Sequence, residues 1–238
     1  MNKLRGFFWV ILTLSLCPNH GLSQADHYGA LDARQEGLIH IAALTAIGDL
    51  SKLPNALESG LDAGLTVNQI KEAIVHLYAY AGFPRSIRGL QTFMKVLEDR
   101  VAKGIVDEVG AEATSVEDAR SKFDRGKAVL DSLLGVPQTD SPTGYAAFAP
   151  VIEVFLKEHL FADIFERDVL TYAERELVTV SVLASIGGVE PMLRSHLVIC
   201  LNVGLTPDQL RQIPNVIRTT VGRKEGKMLL QLINQILG

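Results

Sequence analysis

His196 is the side chain best suited to move a proton. It stands in Leu193-Arg194-Ser195-His196-Leu197-Val198-Ile199, an otherwise aliphatic run, and imidazole is the side chain whose unperturbed pKa lies near neutrality. The competing reading is a packed histidine satisfied by a carbonyl. Arg175 can hold a substrate carboxylate through its forked guanidinium, or simply form a surface ion pair. His159 and Asp163 lie one helical turn apart and can share a face, but no further ligands follow at matched spacing, so no metal is expected. Cys17 and Cys200 are the only thiols. Cys200 lies one turn beyond His196, where it can pair with the imidazole or remain a buried, inert thiol.

The elements that must position these groups read as helices. Leu177 to Gly187 is an apolar helix, Gly187-Gly188 breaks it, and a second helix carries His196 before Gly204-Leu205-Thr206. Thr206-Pro207-Asp208-Gln209 restarts a third, with a hydroxyl cap, proline in the first turn and an acid. The same plan occurs earlier. Leu38 to Gly48 lies over Leu177 to Gly187; after one extra residue in the later copy, Leu53/Leu193, Leu57/Leu197, Leu61/Leu201 and Gly64-Leu65-Thr66/Gly204-Leu205-Thr206 fall into step. Chance apolar periodicity would not also align the glycines and the Gly-Leu-Thr restart, so the chain holds two copies of one helical unit. In the first copy Asp32 caps the opening helix, Thr66 caps a third running to Ala81, and Arg85 to Val101 forms a fourth. Between the copies, Ser115-Val116-Glu117-Asp118 is expected to open an amphipathic helix running to Leu134. Helix resumes near Tyr145 and runs through Phe155, and the later core helix opens at Glu176.

An apolar helix, a His-bearing second helix, a Gly-Leu-Thr turn and a third helix ending in Tyr80-Ala81-Gly82-Phe83-Pro84 resemble the carboxymuconolactone decarboxylase family, which includes the alkylhydroperoxidase D-type proteins. Glu158-His159-Leu160-Phe161-Ala162-Asp163-Ile164-Phe165 is similar to the segment preceding that family's core helices. The resemblance implies an all-α fold of two tandem repeats packed as a pseudo-dimer. It also implies one composite pocket, because the copies have diverged in complementary ways: His196 has Ala56 as its counterpart, whereas Tyr78 to Pro84 corresponds to Arg218 to Lys224. In family terms Glu176 and Glu190 are the carboxylates that would partner His196, although the extra residue displaces Glu190 by one place and a solvated helix-start acid is its alternative. Tyr80, Phe83 and Pro84 would shape the pocket wall, with His159 and Arg175 beside the substrate. The activity implied is cofactor-free acid–base decarboxylation, or related lactone chemistry, on a small carboxylated substrate. A reading from another class is a non-catalytic oligomeric binding or scaffold protein. Thiol peroxidase chemistry is disfavoured: the D-type enzymes carry Cys-x-x-Cys before the histidine, and the matching window here is Val189-Glu190-Pro191-Met192.

The 238 residues carry a net charge of −4 with no basic stripe, which argues against a nucleic-acid partner. Lys3 and Arg5 precede Phe7 to Leu16, an apolar run suited to a signal-peptide core and too short for a stable membrane span. Small residues at Ser23 and Ala25 place cleavage before Asp26, giving a periplasmic or secreted protein. Anchoring through a lipidated Cys17 is disfavoured because Leu16 is too large for the preceding position. The resulting divisions are a leader at 1–25, a first repeat at 32–101, a connector with one helix at 102–147 and a second repeat at 148–238. The family resemblance further implies a homo-oligomer, with the apolar face from Ile87 to Leu97 suited to the contact.

Overall fold

The computed structural model describes residues 30–139 and 141–238, and the expected leader with Cys17 lies outside them. The first half begins with α1 (Ala33–Ile47) and the second with α9 (Tyr172–Ile186). Each is opened by a reciprocal cap. The Asp32 side chain accepts from the Gln35 N–H while Gln35 reaches back, and Thr171 and Glu174 do the same. Both helices are apolar on nearly every face because both are interior. They pack on each other, and each enters the other's core: Val178 and Val182 join the first half's cluster, Ile39 and Ala43 the second's. That exchange makes the two halves one body.

Around α1 stand α2 (Leu53–Asp62), α3 (Val67–His76), the single turn α4 (Tyr78–Ala81) and α5 (Phe83–Ala102). Around α9 stand α10 (Glu190–Asn202), α11 (Pro207–Thr220) and α12 (Arg223–Leu237). The two Gly-Leu-Thr restarts behave alike: Thr66 with Gln69 and Thr206 with Gln209 form matching capping boxes. The helix expected to run unbroken from Thr66 to Ala81 instead ends at His76, and α4 follows as a separate turn. Gly82, at φ 81°, then takes a left-handed conformation open to glycine, and α5 departs. Among the described residues there is no strand.

The connector contains two different structures. Its first part runs extended over the first half, held by the Arg100–Asp107 ion pair at 2.7 Å and by Asn68 donating to the Gly110 and Ala111 carbonyls. Helix α6 spans Lys122–Leu134, so the expected start at Ser115 is seven residues early. The reason is local: Asp118 accepts from both the backbone and guanidinium of Arg120, and Thr114 is bonded to Asp168, while Ser121 supplies the cap to Asp124. Two short helices follow, α7 (Gly144–Phe148) and α8 (Pro150–Phe155). The chain then widens into a π-helical stretch, π1 (Leu156–Ile164), that packs on α6. At that crossing Gly126 lies against the Lys157 carbonyl, where any Cβ would clash.

Candidate active site

Helix α10 carries His196 half-buried, and α9 brings the fully buried Glu176 against it. His196 Nδ1 and Glu176 Oε2 are 2.8 Å apart. A carboxylate only accepts, so Nδ1 carries the proton and Nε2 is left with its lone pair for whatever enters the adjoining cavity. Glu176 is not the first residue of its helix, as expected, but lies one turn inside α9, because the Thr171–Glu174 box starts the helix earlier. Its second oxygen, Oε1, has no hydrogen-bond partner.

Tyr80 comes from the other half. Its ring meets that of His196 edge-on, with centroids 5.9 Å apart at 84°. Its hydroxyl is buried without a partner, and burial, reinforced by the Glu176 charge, pushes the phenol well above its ordinary value. Tyr80 therefore stays protonated. Cys200, one turn beyond His196, is fully sealed; burial and then the Glu176 charge push the thiol well up, so it does not ionise.

Behind this pair lies a buried polar cluster that no motif announced. Arg175 donates to Glu72 at 2.7 Å and to the Arg167 carbonyl, and Glu72 also accepts from Arg167 Nε at 2.9 Å. Thr179 donates to the Arg175 carbonyl, so His76 Nε2–H donates to Thr179 Oγ1 at 2.9 Å and His76 Nδ1 faces the Arg175 guanidinium. Burial, then the neighbouring Arg175 and His196, hold His76 well below its ordinary value and hence neutral. The available signal was Glu72 and His76 at i, i+4 on a helix whose other buried positions are mostly apolar.

A cavity of about 560 Å³ opens beside His196, within the size range of small-molecule sites. Tyr80 and Ala79 border it from the first half; Ser195, His196, Ile199 and Leu183 from the second. Its far wall comes from α6 to π1, including Leu134, Gln138, Tyr145, Glu153 and Phe161. The repeat alignment, which starts at Leu38 and Leu177, did not reach these residues.

Of the expected site residues, His196, Glu176 and Tyr80 are brought together and the others are not. Arg175 is fully buried in its ion cluster, so it has no access to a substrate carboxylate. Glu190 sits at the exposed start of α10, where it accepts from the Gly188 N–H at 3.2 Å; the extra residue in the turn has carried it out of reach. His159 is exposed on π1, bonded to Asp163 at 3.1 Å and tilted against Tyr78. Phe83 is 62% exposed and stacks on Tyr78, while Pro84 borders a separate depression with Leu50 and Arg85. Among the described residues, no group of three or more His, Cys, Asp or Glu side chains is placed to hold a metal ion, and no helix is long and apolar enough to cross a membrane.

An all-helical body of two interlocked repeats, with one His–Glu pair walled by a tyrosine from the opposite repeat, defines the class. The sequence model of the carboxymuconolactone decarboxylase family matches residues 20–93 and 153–226, and the chain belongs to that family. The two matches contain Tyr80 on one side and Glu176 and His196 on the other. A search of curated proteins gave no match.

Proposed function

We propose that this protein performs cofactor-free acid–base chemistry on a small molecule beside His196, in the manner of a carboxymuconolactone decarboxylase: decarboxylation, or a related proton transfer in a lactone. The observation that carries this reading is the 2.8 Å contact between His196 Nδ1 and the buried Glu176 carboxylate at a cavity wall. In decarboxylation the bond to the carboxylate breaks, its electron pair passes into the lactone carbonyl, and His196, having first taken a proton from water at Nε2, delivers that proton to carbon. In lactone rearrangement the neutral Nε2 first takes a proton from the carbon next to the carbonyl and then returns it at another position. In both, Glu176 fixes the ring orientation and stabilises the imidazolium.

The test is carbon dioxide release and solvent-deuterium uptake with a panel of carboxylated lactones, uncharged lactones and β-keto acids, comparing wild type with a folded His196→Ala variant. Turnover is expected to fall by about 10²–10⁴-fold in the variant. Turnover surviving at the wild-type rate would remove the imidazole from the chemistry. An oligomeric binding protein is the second reading, and a specific feature favours it: Phe83, Ile87, Met94 and Val101 form an exposed apolar stripe along α5. A self-associated protein without turnover on the whole panel would favour that reading. We further propose export with cleavage before Asp26, supported by the charged and apolar pattern of the first residues and checked by sequencing the mature N-terminus.

A further inference from the structure

We propose that the natural ligand of the His196 cavity is an uncharged, mainly apolar molecule with a single carbonyl, such as a ketone, ester or lactone bearing a hydrocarbon tail, rather than a carboxylated one. This inference rests on the acid–base reading above and keeps its proton-transfer branch, since decarboxylation needs a carboxylated substrate.

Charge is the first argument. Among the described residues, no lysine or arginine borders the cavity. The acid that does border it, Glu153, is already bonded to Lys157 at 2.6 Å, and Lys157 is itself buried with its ammonium over the Phe123 ring. Arg175 is sealed behind α9 with Glu72. An anionic ligand would thus lose its hydration, meet Glu153 and find no lysine or arginine among the described lining residues. Burying an unpaired carboxylate on such terms is strongly unfavourable.

Shape and chemistry are the second. Leu134, Leu156, Leu160, Phe161, Leu183 and Ile199 make an extended apolar wall, and the polar groups of α10, Ser195 and His196, stand together. One carbonyl on the ligand can meet both, while Gln138, Tyr145 and Glu153 line the far wall. The α7–α8 hairpin that borders the cavity through Tyr145 and Glu153 also exposes Phe148, Val151 and Phe155, with Phe148 92% exposed. In this setting His196 Nε2 takes a proton from the carbon next to the carbonyl, the C–H electron pair moves into the carbonyl to give the enolate, and the imidazolium returns the proton to carbon.

The experiment uses the full chain and the uncharged dye N-phenylnaphthylamine, displaced by methyl ketones from pentanone to decanone and by dicarboxylates of matching length. Ketone competition is expected to strengthen about fourfold per added methylene. Dicarboxylates should compete at least about tenfold more weakly than ketones of the same length. Leu134→Lys, or Leu130→Lys if the first does not fold, places a cation in the wall and should shift the preference toward the dicarboxylate. Dicarboxylates matching the ketones in the wild type, or absence of both dye and ketone binding, would overturn the proposal. Ketone binding retained by both wild type and His196→Ala, with turnover in neither, would support this ligand class and sink the catalytic reading. Dicarboxylate-selective binding with His196-dependent turnover would do the reverse.

Discussion

The two halves share a backbone plan and differ where it matters chemically. In the second half, α9 and α10 are held apart by Glu176 and Cys200. In the first, the same places on α1 and α2 are Gly37 and Gly60, packed so closely that a Cβ on Gly37 would come within 3.3 Å of the Gly60 Cα and of Leu65. There is no room for a carboxylate. The counterpart of His196 is Ala56, and a depression of about 410 Å³ remains there, bordered by Gly37, His40, Asn55 and Ser59. His40 stands at the place of Thr179 and bonds Thr220, itself the counterpart of Tyr80, at 2.7 Å. The first half thus keeps the concavity and has lost the acid–base pair, while supplying the aromatic wall for the other half's site.

The largest expected effect comes from the ion cluster joining the halves. Glu72 belongs to the first half and Arg175 to the second, and in the repeat register their counterparts are Gln212 and Glu36. Arg175→Ala leaves a buried carboxylate short of its main partner and should cost about 3–5 kcal/mol, read from the denaturant midpoint. The activity of the folded fraction should be unchanged. A selective rise in KM for a carboxylated substrate would instead restore Arg175 as a ligand-binding residue.

Next in size is the acid–base pair itself. Glu176→Gln keeps the shape and removes the charge, and should lower kcat by about 10²-fold or more, with little change in KM. The mirror-image change, Ala56→His, should yield no second activity, because Gly37 offers it no carboxylate. A gain of turnover from Ala56→His in a His196→Ala background would show that the two concavities differ less than their packing implies.

The symmetric features of the fold were legible because they are local. A capping box needs only Thr66 and Gln69, or Thr206 and Gln209, and a helix stop needs only a glycine in place. His196 stood out as a base for a similarly local reason, an imidazole in an aliphatic run. Its partner was harder. Glu176 and Glu190 were both expected beside it, Glu190 with a solvated helix-start acid as its alternative, and the crossing of α9 over α10 selects the one twenty positions away. Arg175 was misjudged because its neighbour in sequence faces the site while Arg175 itself faces α3. The far cavity wall was illegible, since amphipathic spacing in α6 shows that a face is buried without naming what it packs on. A π-helical stretch such as π1 likewise depends on tertiary contacts, here the close approach of Gly126 to Lys157.

A smaller effect separates the two histidine–threonine contacts, one buried and one half-buried. His76 is held neutral with a pKa well below its ordinary value, so the folded state refuses a proton that the unfolded chain accepts below about pH 6.5. Its contribution to stability is complete above that pH and is lost as the pH falls toward the folded value, by about 1.4 kcal/mol per pH unit. His40 is shifted in the same direction by burial, opposed by Glu36, and being half-buried it should contribute a shallower decline. Urea midpoints measured across this range should flatten more in His76→Gln than in His40→Gln. Equal flattening would mean that the two environments are alike.

The smallest effect expected is at Cys200, where the second half differs from Gly60 of the first. Cys200→Ala moves this contact one step toward its counterpart and removes a single buried sulfur, at about 1 kcal/mol of stability. Because burial keeps the thiol protonated and the Glu176 carboxylate beside it opposes a second negative charge, the sulfur has no nucleophilic form to lose. Proton transfer by His196 should therefore be unaffected, and any peroxide consumption by the wild type should persist in the variant. Peroxide consumption that vanished with Cys200 while the fold survived would require the sulfur to reach solvent in a state with α9 and α10 parted, and would make the cysteine, rather than the histidine, the functional difference between the two halves.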